Sequence, residues 1–83
     1  MTLDAIPKDA IARVTSVAPG EQGIRLMEMG LVPGAPVRLV KTAPLGDPIQ
    51  VCVRNYHLAL RRSEARSIQV TLSPEVHSPK LPA

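Results

Sequence analysis

The fold of this chain is decided by the stretch Arg25-Leu-Met-Glu-Met-Gly-Leu-Val-Pro-Gly34. It predicts the end of an amphipathic helix, a glycine stop and a proline that prevents the helix from continuing. Gly30 lies where the residue after a helix end takes a positive φ, and Leu26 and Leu31 are the hydrophobic pair that accompanies such an end. We therefore predict a short helix over residues 21–29.

The buried face of this helix is predicted from the spacing of its apolar residues. Ile24 and Met27 lie three positions apart, with Leu26 close to the same face. Residues with this spacing meet on one side of a helix. We therefore expect Ile24 and Met27 to form the stripe that packs on the core, whereas Gly23 only lowers the helix propensity.

Segments on either side of the helix alternate apolar and polar residues and are rich in β-branched side chains, which is typical of strands. In the first segment the apolar residues change face, which predicts a bulge or bend. The phrase Pro44-Leu-Gly-Asp-Pro-Ile49 predicts a turn between two strands. The five predicted strands cover residues 11–17, 36–41, 49–54, 57–60 and 68–72.

The hairpin near residue 55 can be aligned from its pattern. A two-residue loop, Asn55-Tyr56, would pair Val53 with Leu58 and Cys52 with Ala59, so that apolar residues meet on one face. A shift by one residue would expose the whole apolar set. Asparagine also tolerates the left-handed backbone that such a turn requires.

Short strands joined by tight connections predict a mainly β fold, a small SH3-like five-stranded barrel that closes its own edges. One helix follows the first strand, and a helical turn over 63–66, capped by Ser63, precedes the last strand. The predicted organisation is an N-terminal extension (1–9), the barrel (10–73) and a disordered proline-rich tail (74–83).

Composition narrows the function. The chain has 83 residues, no Trp or Phe, one Cys and a net charge of +3. Because the basic residues are scattered and Tyr56 is the only aromatic platform, we do not expect nucleic-acid binding. No signal peptide or membrane-spanning run is apparent, which indicates a cytoplasmic protein without direct membrane insertion. No nucleophile–base arrangement and no phosphate-binding loop occurs, so we expect no enzyme and no cofactor.

The sequence resembles the FeoA family, the small component of bacterial ferrous iron transport. The resemblance rests on Arg25-Leu-x-Glu-Met-Gly-Leu-x-Pro-Gly34, on Pro44-Leu-Gly-Asp-Pro-Ile49 and on Leu58-Ala-Leu-Arg61 with Glu64-Ala65. It implies an SH3-like fold and a regulatory partnership with FeoB, a membrane permease with a cytoplasmic GTP-binding domain.

Two alternatives to this partnership stay open. The chain could be a self-associating adaptor that binds a peptide or a second copy, or a small barrel that binds nucleic acid. Heparin retention with steep salt dependence would identify the latter.

Exposed residues near the helix and the last turn are the candidates for partner contact: Arg25, Glu28, Met29, Arg61 and Arg62. Most surface charges are merely solvated, and Met29 fits the core as well as a partner.

Cys52 and His57 are the residues that could suggest a metal site. The predicted hairpin places both on its outward face in a diagonal relation. A structural zinc site takes four ligands, and the pattern adds no further ligand there. We therefore predict a surface thiol and a surface imidazole, with direct iron sensing as the alternative.

Overall fold

The computed structural model describes residues 1–72. A 3-10 turn (Leu3–Ala5) precedes the other elements. The strands and helices that follow are β1 (Ile11–Val17), α1 (Glu21–Glu28), β2 (Pro36–Thr42), β3 (Ile49–Val53), β4 (Tyr56–Leu60), α2 (Arg62–Ala65) and β5 (Ile68–Leu72).

The five strands form one antiparallel sheet in the order β4-β3-β2-β1-β5, which confirms the predicted mainly β, SH3-like architecture. The predicted irregularity in β1 is a register shift between Val14 and Ser16. The expectation that the barrel closes its own edges was wrong for hydrogen bonding. In the described chain β4 and β5 end the sheet and do not pair with each other.

The core is aliphatic. Inward-facing strand residues are buried as the alternation predicts, including Val37, Leu39, Val51, Val53 and Val70. Burial of such side chains is the main favourable term in folding, worth roughly 1.5–3 kcal/mol each. The sheet therefore has one packed inner face and one outward face.

The buried face of α1 differs from the prediction. Ile24 is 54% exposed and Met27 is only half-buried, whereas Gly23 and Leu26 face the core. The reason is close packing of the helix on the end of β1, since a Cβ atom at Gly23 would overlap the carbonyl oxygen of Ala18. The missing side chain at residue 23, rather than the Ile24 stripe, sets the rotation of the helix.

The end of α1 is as predicted. Gly30 has φ +105°. Its N–H donates to Met27 O at 3.0 Å, and Leu31 N–H donates to Leu26 O at 3.2 Å. These are the two hydrogen bonds of a Schellman motif. Leu26 and Leu31 are both completely buried, so the hydrophobic pair of the motif belongs to the core.

The hairpin alignment was wrong by two residues. Val53 pairs with Tyr56 and Cys52 with His57, so the loop is Arg54-Asn55, and Arg54 takes the positive φ of 55°. A shift of two residues keeps every side chain on its face. Alternation could therefore not distinguish the two alignments.

The turn before β5 begins one residue earlier than predicted. Arg61, rather than Ser63, is the residue that precedes the helical segment Arg62–Ala65. The Glu64 carboxylate accepts the backbone N–H of Arg61 at 2.9 Å. A carboxylate three residues into the helix thus replaces the expected serine cap.

The predicted extension, residues 1–9, packs against the sheet. Leu3 is fully buried and Ile6 nearly so, and Thr2 bridges Gln69 of β5. The predicted tail, residues 74–83, lies outside the described residues. Within residues 1–72, no helix has both the length and the apolar character that crossing a membrane would need.

Candidate functional site

A shallow groove of about 490 Å³ separates the end of α1 from β4. Its lining is mostly apolar, with two charged residues at the rim, and comprises Glu28, Met29, Gly30, Val32, Arg54, Tyr56 and Leu58. The Schellman turn forms one wall by turning the chain at Gly30, and the hairpin forms the other.

Two of the residues that were predicted from the sequence to contact a partner lie in this groove. Met29 is half-buried and packs against the core cluster, so it contributes to both core and groove. Glu28 is exposed beside it. A flexible thioether next to a carboxylate is suited to an adaptable apolar contact with a polar edge.

The opposite wall was missed by sequence reasoning as a binding surface. Tyr56 is 63% exposed although it is the chain's single aromatic residue, and Leu58 is half-buried below it. A tyrosine that a small aliphatic protein leaves on its surface, next to an apolar hollow, is typical of a binding anchor. The presence of a single aromatic residue, Tyr56, was the feature of the sequence that could have indicated this wall. No feature of the sequence indicated Val32.

Arg25 belongs to a contact between the two helices. Its Nη2 atom donates to Glu64 Oε2 at 2.9 Å. The guanidinium is largely exposed and the carboxylate largely shielded. The pair therefore links α1 to α2 at the surface, where solvent reduces its contribution to under about 1 kcal/mol.

Arg61 and Arg62 are adjacent in sequence and differ in environment. The Arg62 guanidinium donates from Nε to the carbonyl of Gly46 and from Nη1 to that of Asp4 at 3.0 Å. Its backbone N–H donates to Asp47 Oδ1 at 3.1 Å. Arg61 is exposed, and no carboxylate of residues 1–72 forms an ion pair with it.

Cys52 and His57 are a directly opposed cross-strand pair on the outward face. His57 Nδ1 lies 3.0 Å from Gln50 Nε2, and the Cys52 thiol donates to Arg54 O at 3.5 Å. Among residues 1–72, no group of three or more His, Cys, Asp and Glu side chains is placed to hold a metal ion.

Comparison with known proteins identifies a family for this chain. The model of the FeoA domain matches residues 1–72. A fusion of Fe(2+) transport protein A with the transporter FeoB from Porphyromonas gingivalis is 42% identical over 48 residues. That match covers 58% of this chain and 6% of the fusion protein.

Solved structures of relatives share the fold. Iron(II) transport protein A from Clostridium thermocellum superposes with a TM-score of 0.84 at 36% identity, covering 89% of this chain and 46% of that one. Zinc-bound FeoA from Stenotrophomonas maltophilia, described as a prokaryotic SH3 domain protein, gives 0.76 at 39% identity, covering 84% and 88%. The chain spans less than half of the first of these proteins and a small part of the fusion.

Proposed function

The chain belongs to the FeoA domain family, and from this premise we propose that it is a non-catalytic accessory protein of ferrous iron uptake. It binds the cytoplasmic side of a FeoB-type permease and modulates transport or nucleotide turnover there. The relative that carries FeoA and FeoB in one polypeptide supports this partnership, because fused domains are held at high effective concentration for each other.

The observation that carries the proposal is the groove between α1 and β4. It is open, mostly apolar and bordered by Tyr56, with Glu28 and Arg54 at its rim. Interface cores are apolar and rich in tyrosine, with charged groups placed around them. Such a surface recognises a side chain or short segment of another protein and offers little to a reaction.

The other nominated residues take supporting roles in this proposal. Arg25 holds α2 against α1 through Glu64. Arg62 positions the loop that contains Gly46. Arg61, which is exposed, remains available to a partner and affects the rate of encounter more than the lifetime of the complex.

Binding to the cytoplasmic region of FeoB from the same source tests the proposal. We expect titration to show a complex, and Tyr56→Ala to weaken it by about thirtyfold, since a buried interface tyrosine contributes roughly 2 kcal/mol. The matched control is Leu45→Ala, because Leu45 is 97% exposed and lies outside the groove lining.

Modulation is read from the same pair of variants. We expect the wild-type chain to change the GTP hydrolysis rate or iron transport of full-length FeoB, and Tyr56→Ala to lose that effect. If Leu45→Ala disrupts the complex and Tyr56→Ala does not, the groove is not the contact. If wild-type chain binds neither the cytoplasmic region nor full-length FeoB, the proposed partnership is wrong.

A further inference from the structure

Within residues 1–72, strand β4 leaves one edge of its backbone unpaired. Because the loop Arg54-Asn55 has two residues, Val53 and Tyr56 form the hydrogen-bonded pair that closes the hairpin, and such pairs alternate along the ladder. The N–H and C=O groups of His57 and Ala59 therefore point away from β3. No described backbone group outside the sheet bonds to either residue.

The opposite end of the sheet is protected. Along β5, the N–H of Val70 donates to Met1 O at 2.8 Å, and Thr2 forms a bridge with Gln69. The N-terminal segment thus covers the outer edge of β5. Within residues 1–72, β4 is the edge that lacks such cover.

The sequence of β4 also lacks the features that usually block strand addition. Tyr-His-Leu-Ala-Leu contains no lysine, no proline and no arginine, aspartate or glutamate, and its ladder with β3 has no bulge. Natural proteins commonly use such features to prevent pairing at an exposed edge. Their absence here makes β4 a template for one more strand.

Both faces of this edge have hollows that could take alternate side chains. On one side lies the apolar groove that contains Tyr56 and Leu58. On the other lies a hollow of about 480 Å³ beside Ala59, whose short side chain leaves space next to Pro48. Strand addition uses the backbone for affinity and such alternating pockets for specificity.

Charge distinguishes between two candidate occupants of the β4 edge, an acidic partner segment and a second copy of this chain. Arg54 and Arg61 flank β4, and neither forms an ion pair within residues 1–72. Glu64 and Asp47, which share the Ala59 hollow with Arg61, accept hydrogen bonds from Arg25 and from the Arg62 backbone. A second copy paired antiparallel about Leu58 would bring its Arg62 alongside Arg54.

We propose that β4 accepts, as a sixth strand, an extended partner segment with apolar residues toward the groove and acidic residues near Arg54 and Arg61. The segment directs its carboxylates to the outward face, where Arg54 borders a hollow beside Cys52 and Arg61 borders the hollow beside Ala59. Glu28, by contrast, lies on the groove side and has no basic partner within residues 1–72. This inference rests on the proposed function only for the partner's identity, a segment of FeoB, and specifies how that partner binds.

Amide hydrogen exchange with a defined peptide is the test. The probe is the heptapeptide Glu-Val-Thr-Val-Thr-Val-Glu, which places its valines on one face and its glutamates on the other. We expect the N–H groups of His57 and Ala59 to exchange quickly in the free chain and to become protected with peptide. Those of Tyr56, Leu58 and Leu60 are protected in both, because they already bond to β3.

Matched peptides separate the contribution of charge to the affinity from that of backbone hydrogen bonds. Replacing both glutamates by lysine should weaken binding about fivefold or more at low salt, as expected for two exposed ion pairs. Methylating the backbone nitrogens on the edge that faces β4 should abolish it, since those groups are the donors to the added ladder. Equal binding of the methylated peptide would overturn the proposal.

Substitution of the edge residue tests the chain itself. Ala59→Pro removes an outward N–H and should weaken peptide binding by about tenfold or more, whereas Ala59→Ser, which keeps the N–H, should bind as wild type. Retained affinity in a folded Ala59→Pro variant would refute strand addition. Protection of His57 and Ala59 that rises with chain concentration alone would identify a second copy as the occupant and would also overturn it.

The same variants keep this inference separate from the proposed function. If wild-type and Ala59→Pro chains bind the FeoB cytoplasmic region equally, the partnership stands and strand addition fails. If the chain binds the acidic heptapeptide with protection of His57 and Ala59 but binds no part of FeoB, strand addition stands and the proposed partner is wrong.

Discussion

At the scale of single residues, Gly23 shows how an absent side chain sets the position of a helix. A Cβ atom there would overlap the backbone oxygen of Ala18, and that backbone cannot rotate away as a flexible side chain would. We expect Gly23→Ala to lower the free energy of unfolding by about 1–3 kcal/mol, although alanine has the better helix propensity.

Urea unfolding measures this effect. Glu28→Ala is the control, because Glu28 is exposed on the same helix and should change stability by no more than about 0.5 kcal/mol. If Gly23→Ala were as stable as wild type or more stable, helix propensity would outweigh packing at this position, and α1 would not lie so close to the end of β1.

Arg54 carries a conformational cost in the hairpin loop. Its φ of 55° lies in the left-handed region, which costs a residue with a side chain roughly 1–2 kcal/mol, less for glycine. We expect Arg54→Gly to raise the free energy of unfolding by up to about 1 kcal/mol, while Asn55→Gly gives no such gain. Thermal unfolding of the two variants compares them, and a gain at Asn55 instead would favour the loop Asn55-Tyr56.

What could be predicted at this scale depends on how local the cause is. The helix end at Gly30, with the hydrogen bonds from Gly30 to Met27 and from Leu31 to Leu26, is fixed within a few residues, and the sequence predicted this end. The exposure of Ile24 depends on the contact of Gly23 with Ala18, which helical spacing does not reveal. The loop residues escaped prediction because alignments that differ by two residues bury the same side chains.

At the scale of elements, α1 is held by its C-terminal end. Leu26 is fully buried and carries the carbonyl that accepts from Leu31, whereas Ile24 is 54% exposed. We expect Leu26→Ala to reduce stability by about 2–5 kcal/mol and Ile24→Ala by no more than about 0.5 kcal/mol. Chemical denaturation distinguishes the two positions, and equal losses would mean that both share the buried face.

The candidate site was only half predictable for a reason that also belongs to this scale. Glu28 and Met29 lie at the end of α1, which the sequence predicts, so both could be identified as candidates from the sequence. Tyr56 and Leu58 lie on β4, and only the tertiary fold brings them to the same groove as the end of α1. A groove formed by two elements far apart in sequence has no local pattern that would reveal it.

At the scale of the whole molecule, the N-terminal segment and Arg62 hold distant parts together. The segment places Leu3 and Ile6 in the core and covers the edge of β5. Arg62 then joins this segment, at Asp4 O, to the loop between β2 and β3, at Gly46 O. Segments that are remote in sequence therefore converge at one guanidinium beside α2.

Lysine carries its three N–H donors on one terminal nitrogen, so it does not reproduce the separate Nε and Nη1 donors with which the Arg62 guanidinium reaches two carbonyls. We expect Arg62→Lys to lower the free energy of unfolding by about 1–3 kcal/mol, as for loss of a partly buried charge-assisted hydrogen bond. Arg61→Lys is the matched control, and its effect should stay within about 0.5 kcal/mol, since Arg61 is exposed and has no ion pair within residues 1–72.

Thermal unfolding and titration with the cytoplasmic region of FeoB, the proposed partner, together test the role of each arginine. If Arg62 is structural, Arg62→Lys should lower the melting temperature and leave the affinity of the folded chain for the FeoB region unchanged. For Arg61→Ala, next to β4, we expect the reverse, with unchanged stability and slower association. The effect should be clearest at low salt, because a charge at the rim of an interface acts mainly on the rate of encounter. A stable Arg62→Lys chain that binds the partner poorly would instead place Arg62 in the interface.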